Sequence, residues 1–215
     1  MLILFQGDSI TDGNRYKDKA SAWDLNHQIG HAYPYVITSL LGATRASEGF
    51  EFINRGVSGD TVARMYARWR QDALCLKPDL ISILIGVNDV CSYVQDGSGS
   101  PPERFEKLYR LALDEALEEN KDIKLVLMEP FILKRGDLDE TWTKRAALMP
   151  EYQAVTRRVA QDYGAVFVPT QEKLDALCQQ RDASYWVWDG CHPTEAGHGV
   201  LALEWMRRTG LMPKF

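Results

Sequence analysis

Short, β-rich apolar runs alternate along this chain with longer stretches of helical period. That alternation restricts the chain to a parallel sheet whose crossover connections are helices covering both faces. Five runs read as strands: Leu2 to Gln6, Phe50 to Asn54, Leu80 to Ile85, Ile123 to Met128 and Ala165 to Val168. The third is apolar almost throughout, as a strand buried on both sides must be, and it stops at Gly86. Asp60 to Leu76, Pro102 to Glu119, Lys144 to Tyr163 and Thr194 to Arg208 carry charged and apolar residues at helical spacing, with Asp60 and Thr194 as N-cap candidates. Gln171 to Gln180 is a further short helix. Asp12 to Tyr33 is long for a strand-to-helix connection, and Asp96 to Pro102, rich in Gly, Ser and Pro, reads as a surface loop.

The chain has 215 residues and a 45% hydrophobic content, which suffices for a sizeable core, and no linker or repeat interrupts it. Residues 1–215 are therefore expected to form one domain. A net charge of −5 argues against nucleic acid or an anionic membrane as a partner held by charge, and no apolar run is long enough to span a bilayer. The segment Met1 to Gly7 lacks the basic region and apolar length of an export signal. Cys75, Cys91, Cys178 and Cys191 lie far apart with no C-x-x-C pair, so neither a disulfide framework nor a zinc site is indicated and a cytoplasmic location is expected.

In open parallel sheets the ligand crevice lies beyond the carboxyl ends of the strands. Three segments follow strands directly: Gly7-Asp8-Ser9-Ile10-Thr11, Gly56-Val57-Ser58-Gly59-Asp60-Thr61 and Gly86-Val87-Asn88-Asp89. A fourth, Asp189-Gly190-Cys191-His192-Pro193-Thr194, precedes the last helix. A hydroxyl becomes a useful nucleophile only beside a base that a third group orients. Pro193 pushes His192 away from helical angles, so Asp189 to His192 should form a bent loop. The bend can bring the Asp189 carboxylate to one imidazole nitrogen and leave the other for Ser9. Attack on an ester carbonyl creates an oxyanion, for which Ser9 and Gly59 can offer backbone N–H groups and Asn88 its side-chain amide. Ser9 lacks the G-x-S-x-G elbow of α/β-hydrolases, which disfavours that fold.

Simpler readings stand beside these. Ser9 could cap a helix, Asn88 and Asp89 could be turn residues, and Gly59 a turn glycine. Asp8 more naturally organises its turn than takes part in chemistry. His27 and His31 are four apart, a spacing zinc ligands use, but Gly30 and Pro34 weaken the helix and no third ligand is evident, so no metal is expected. Cys191 beside His192 is expected to be a small apolar filler, not a nucleophile, and His198 a packed or surface residue of the last helix. Nucleotide cofactors lack their glycine signatures here.

The four segments resemble, in order, the four sequence blocks of the SGNH, or GDSL-type, hydrolase family: Gly-Asp-Ser, a Ser-Gly-Asp-Thr turn, Gly-x-Asn-Asp and Asp-x-x-His-Pro. The resemblance spans nearly the whole chain. It implies an α/β fold of the flavodoxin-like, three-layer αβα sandwich type and a cofactor-free serine esterase. Ser9, Asp189 and His192 would form the triad, and Ser9, Gly59 and Asn88 the oxyanion hole. Gly56 also lies in the second block; Gly59 is preferred because it directly follows Ser58. Asn54 to Val62, Lys77 to Val90 and Trp188 to His198 look most like the intracellular acetylxylan esterase branch. That likeness implies an acetylated saccharide as small-molecule partner, with Trp188 packing against a sugar or walling an acyl pocket, and a homo-oligomer is compatible with it. The rivals are a thioesterase or lysophospholipase on the same scaffold, and a carbohydrate-binding protein that has kept the site without turnover.

Overall fold

The computed structural model describes residues 1–17, 26–134 and 140–214, except the side chains of Asn26 and His27. The strands are β1 (Leu2–Gly7), β2 (Glu51–Asn54), β3 (Leu80–Leu84), β4 (Lys124–Met128) and β5 (Val166–Val168). They pair in parallel in the order β2-β1-β3-β4-β5. The expected five-stranded α/β sandwich is therefore the observed one, with each strand matching to within a residue or two. β3 is buried along its length and β1 from Ile3 onward, and their side chains alternate between two helical layers.

The helices are α1 (Ser9–Asp12), α2 (Asn26–Ile29), α3 (Tyr33–Thr44), α4 (Val62–Ala67), α5 (Trp69–Asp72), α6 (Val87–Asp96), α7 (Pro102–Glu119), α8 (Glu140–Asp162), α9 (Thr170–Cys178), α10 (Ala183–Trp186) and α11 (Glu195–Thr209). α3 packs on α11, and α7 packs on both α4 and α8. Phe5 of β1 meets Tyr33 of α3 edge-on and Trp205 of α11 at 5.8 Å between ring centroids. The next residue, Gln6, points to the opposite layer, donating to the Asp72 carbonyl at 2.8 Å. Trp205 in turn donates its indole N–H to Ser82 of β3 at 2.9 Å, so this large buried ring leaves no donor orphaned. Among the described residues no helix is long and apolar enough to cross a membrane.

Four local expectations need correction. The stretch from Asp60 to Leu76 is not one helix but α4, α5 and a 3₁₀ turn over Leu74–Leu76. Its cap is Thr61, not Asp60, whose carboxylate instead binds Arg68 at 2.6 Å while Arg68 also reaches Asp72 at 2.7 Å. By contrast, the expected weakening of a helix over His27 and His31 holds, since α2 stops at Ile29 before Gly30 with φ +79°, and Pro34 falls in the first turn of the separate helix α3, which needs no N–H from it. Asn88 and Asp89 are not turn residues but the first turn of α6, which periodicity alone leaves undetected behind the motif. The loop from Asp96 to Pro102 is only partly at the surface. Ser100 is buried and its carbonyl accepts from Tyr152, while Gly99 lies so close to α6 that a Cβ would come within 2.0 Å of the Asp89 carbonyl.

Candidate active site

Sheet order decides which strand ends meet. β1 lies between β2 and β3, so the segments after these three strands share one rim of the sheet. Gly7 ends β1 with φ +154°, and a Cβ there would lie 2.3 Å from the Leu84 carbonyl, so only glycine lets the chain leave between two strands. Asp8 then caps α1, its Oδ1 accepting from the Ile10 N–H at 2.9 Å, which is the turn-organising role expected of it. Ser9 is thereby placed at the first helical position, half-buried at the rim.

The second segment is tied to the first by side-chain bonds. Asn54 Nδ2 donates to the Thr11 carbonyl at 2.7 Å and to the Ile29 carbonyl at 2.8 Å, and Asp12 Oδ2 accepts from the Ser58 N–H at 3.1 Å. The geometry separates the two candidate glycines. Gly56 is packed so tightly that a Cβ would stand 2.5 Å from the Asp12 N, its N–H is committed to Asn54 Oδ1 at 2.9 Å and its carbonyl to Arg15. Gly59 instead occupies an open turn with φ +82°. Asn88 projects from the first turn of α6 and donates one amide hydrogen to the Asp60 carbonyl at 3.0 Å, which places it one residue from Gly59 and leaves a second amide hydrogen. Beside it, Asp89 Oδ2 accepts from the Val62 N–H at 2.9 Å and holds the start of α4 against α6. Nothing in the local sequence signals that positioning contact, because its two partners lie 27 residues apart.

The fourth segment is the bent loop expected. Val187 and Pro193 form an antiparallel bridge, the Trp188 N–H donates to the His192 carbonyl at 3.0 Å, and Gly190 turns with φ +98°. The Leu133 N–H anchors the turn by donating to the Gly190 carbonyl at 2.7 Å. Inside the turn Asp189 Oδ1 accepts from the Cys191 N–H at 3.1 Å and the His192 N–H at 2.8 Å, and Oδ2 meets His192 Nδ1 at 2.6 Å. His192 Nε2 lies 2.7 Å from Ser9 Oγ, across 183 positions of chain.

Burial pushes the Asp189 carboxyl up, but hydrogen bonds from the His192 ring and the two backbone N–H groups outweigh it and hold the group well below the usual carboxylate range. The same side-chain bond, opposed by burial and helped by the carboxylate charges of Asp189 and Asp8, raises the His192 imidazole above its ordinary value. Asp8 and Asp89, both buried, are each pushed up to about 7, chiefly by desolvation. An imidazole that carries a hydroxyl on one nitrogen and a carboxylate on the other can take a proton from that hydroxyl.

Trp188 is 56% exposed and stacks on the His192 ring, with centroids 5.2 Å apart and planes 18° from parallel. It stands on the solvent side of the histidine. His198 is on α11 as expected, with Nδ1 accepting from the Tyr33 N–H at 3.2 Å, and burial lowers its imidazole to about 4. The zinc pair proposed from spacing falls on His27, whose side chain lies outside the described residues; the Asp12 to Tyr33 loop likewise lies in part outside them. Cys191 packs against the core as the expected small filler, and its Sγ in addition lies 3.4 Å from His192 Nδ1 and 3.6 Å from Asp189 Oδ1.

Residues 5–200 match the GDSL-like lipase/acylhydrolase family. A curated acetylxylan esterase of Geobacillus stearothermophilus is 30% identical over 210 residues, covering 97% of this chain and 93% of that protein. A structure of that esterase, called Axe2, superposes with a TM-score of 0.81, over 97% of this chain and 94% of its own. A GDSL-like protein from Parabacteroides merdae is 35% identical with a TM-score of 0.91, covering 98% and 95% of the two chains. An alpha/beta hydrolase enzyme called LAE5, from the metagenome of Lake Arreo, Spain, is 29% identical with a TM-score of 0.87, covering 99% and 96%. Axe2 structures also exist for catalytic mutants in which a serine, an aspartate or a histidine is replaced by alanine.

Proposed function

The chain belongs to the GDSL-like lipase/acylhydrolase family and is a serine carboxylic ester hydrolase, and we propose that it removes acetyl groups from xylo-oligosaccharides or similar acetylated sugars, with Ser9, His192 and Asp189 as its triad. One observation carries the residue assignment: the unbroken relay from Ser9 Oγ to His192 Nε2 at 2.7 Å and from His192 Nδ1 to Asp189 Oδ2 at 2.6 Å. The substrate class rests on the likeness to the Geobacillus acetylxylan esterase over nearly the full length of both chains. Trp188 adds to it, since a half-exposed indole beside the base offers a flat face to a sugar ring.

The reaction has two halves. Ser9 Oγ attacks the acetyl carbonyl as its proton passes to His192 Nε2, and the oxyanion is received by the N–H groups of Ser9 and Gly59 and by Asn88 Nδ2. The tetrahedral intermediate collapses, and the sugar oxygen leaves with the proton from Nε2. A water then gives a proton to Nε2 and attacks the acetyl-serine, the new tetrahedral intermediate collapses as that proton passes from Nε2 to Ser9 Oγ, and the acetic acid released loses its own proton to solvent as acetate. Asp189 keeps the Nδ1 proton in place and stabilises the imidazolium without itself being protonated.

Asn88→Ala removes one oxyanion donor and is expected to lower kcat by about 10²–10³-fold with KM little changed. Because Asn88 also binds the Asp60 carbonyl, thermal unfolding must show the variant folded before the kinetics are read. The substrate assignment is tested with acetylated xylo-oligosaccharides and a series of p-nitrophenyl esters. Acetate release from the saccharides and a steep fall in kcat/KM from acetyl to hexanoyl are expected; a rise with chain length would replace the acetylesterase reading with a lysophospholipase or thioesterase.

A further inference from the structure

The side of His192 facing away from Ser9 carries an unusual set of donors. Around Nδ1 lie the Asp189 carboxylate at 2.6 Å and the Cys191 thiol at 3.4 Å, and the same thiol is 3.6 Å from Asp189 Oδ1. One ligand atom from each of the three residues therefore lies within 4.8 Å of the others. Tetrahedral zinc, with bonds of about 2.3 Å to sulfur and about 2.0 Å to nitrogen and oxygen, sets its ligand atoms roughly 3.3–3.6 Å apart. The two sulfur separations already have that value. The Nδ1 to Oδ2 contact is a hydrogen bond and must lengthen by several tenths of an ångström.

The thiol packs against the edge of the core and is no nucleophile at rest. Burial and the neighbouring Asp189 carboxylate both push it up, so it stays protonated until a cation supplies compensating charge. The carboxylate is held from behind by the Cys191 and His192 N–H groups, a supporting shell of the kind that orients metal ligands. Asp189 and His192 keep about a third of their side-chain surface exposed, at 30% and 32%, so a cation can reach them from solvent.

We propose that Cys191 Sγ, His192 Nδ1 and the Asp189 carboxylate form a chelating site for a thiophilic divalent cation such as Zn²⁺, and that an occupied site switches the esterase off. The inhibitory half rests on the reading of His192 as the base. Binding replaces the Nδ1 proton by the cation, and that proton moves to Nε2, so the imidazole stays neutral but presents N–H instead of a lone pair to Ser9. Cys191 loses its thiol proton to solvent. One proton is released per ion, nothing is oxidised or reduced, and a water completes the tetrahedron.

The experiment measures p-nitrophenyl acetate hydrolysis in chelator-free buffer against rising ZnCl₂, for the native protein and for Cys191→Val. Because Cys191 touches both Asp189 and His192, inhibition is expressed for each protein relative to its own zinc-free rate. Inhibition at micromolar Zn²⁺, reversal by EDTA, and a rise of about a hundredfold in the half-inhibiting concentration for Cys191→Val are expected. Equal inhibition of both proteins, or none of the native one, would overturn the site. Cadmium chloride gives a readout independent of turnover: the ultraviolet thiolate-to-cadmium charge-transfer band should appear in the native protein and be lost in Cys191→Val. A band without inhibition would overturn the proposed switch, because a cation on the thiolate would then leave Nε2 of His192 free, and no band would remove the site; failure of the base assignment itself is read separately, from the turnover of Ser9→Ala and Asp189→Asn in zinc-free buffer. Should the valine variant fail to fold, Cys191→Ser, of similar size, serves the same comparison.

Discussion

Replacing Ser9 by alanine is expected to lower kcat on p-nitrophenyl acetate by about 10⁶-fold, the scale on which removal of a triad nucleophile acts in serine hydrolases. The change should leave the fold intact, because Ser9 Oγ is hydrogen-bonded to His192 Nε2, while the turn is held by Asp8 and by backbone bonds from Thr11 and Asp12 to the Asp8 carbonyl. Circular dichroism and the unfolding midpoint should therefore be those of the native protein. A folded variant retaining a tenth of the native turnover would remove Ser9 from the reaction. Fluorophosphonate labelling located by mass spectrometry addresses the same atom from the other side: the native protein should carry the label on Ser9, and failure to react would favour a carbohydrate-binding protein without turnover.

Asp189→Asn should cost about 10⁴-fold in kcat, because the amide no longer fixes the Nδ1–H tautomer that leaves Nε2 free to accept the serine proton. A second consequence separates orientation from mere packing. His192 must be neutral to act, and the hydrogen bond and charge of Asp189 raise its pKa above the ordinary imidazole value. The native kcat/KM should thus fall as pH drops through a point above about 6.5. Without the carboxylate charge the imidazolium is less favoured, so the acid limb of the residual activity must move to lower pH. An unmoved limb together with a loss below tenfold would show that Asp189 neither orients nor charges the histidine.

Much of this site is legible in one dimension because its parts are local. Asp189 and His192 are three positions apart, and Pro193 denies the intervening turn a helical path, so their pairing follows from short-range sterics. The alternation of apolar strands with helical stretches marks the strands, and glycines at the ends of β1 and β3 mark where the chain leaves the sheet. Elements whose formation depends on what they pack against were less visible. α6 begins inside a motif that reads as a turn, and it holds together through packing on α8 and the Asp89 to Val62 bond. α3 carries a proline at its second position and is covered by α11, an element from the far end of the chain. Cys191 belongs to the same group: its neighbour in sequence is evident, but the distance of its sulfur from Asp189 and from the His192 ring depends on how the loop closes.

The amino-acid sequence by itself determined the strands, the residues placed at their carboxyl ends and the bent unit that pairs Asp189 with His192, since periodicity, glycine freedom and proline sterics act within a few residues. Tertiary structure alone decided that Ser9 and His192 stand 2.7 Å apart, that Gly56 is sealed against Asp12 while Gly59 stays open, and that Cys191 joins the imidazole and the carboxylate in one cluster. The physical reason is the order of the sheet. No local preference requires β1 to lie between β2 and β3; that arrangement comes from burying the apolar faces of all the helices at once, and only when it is in place do the rim residues meet.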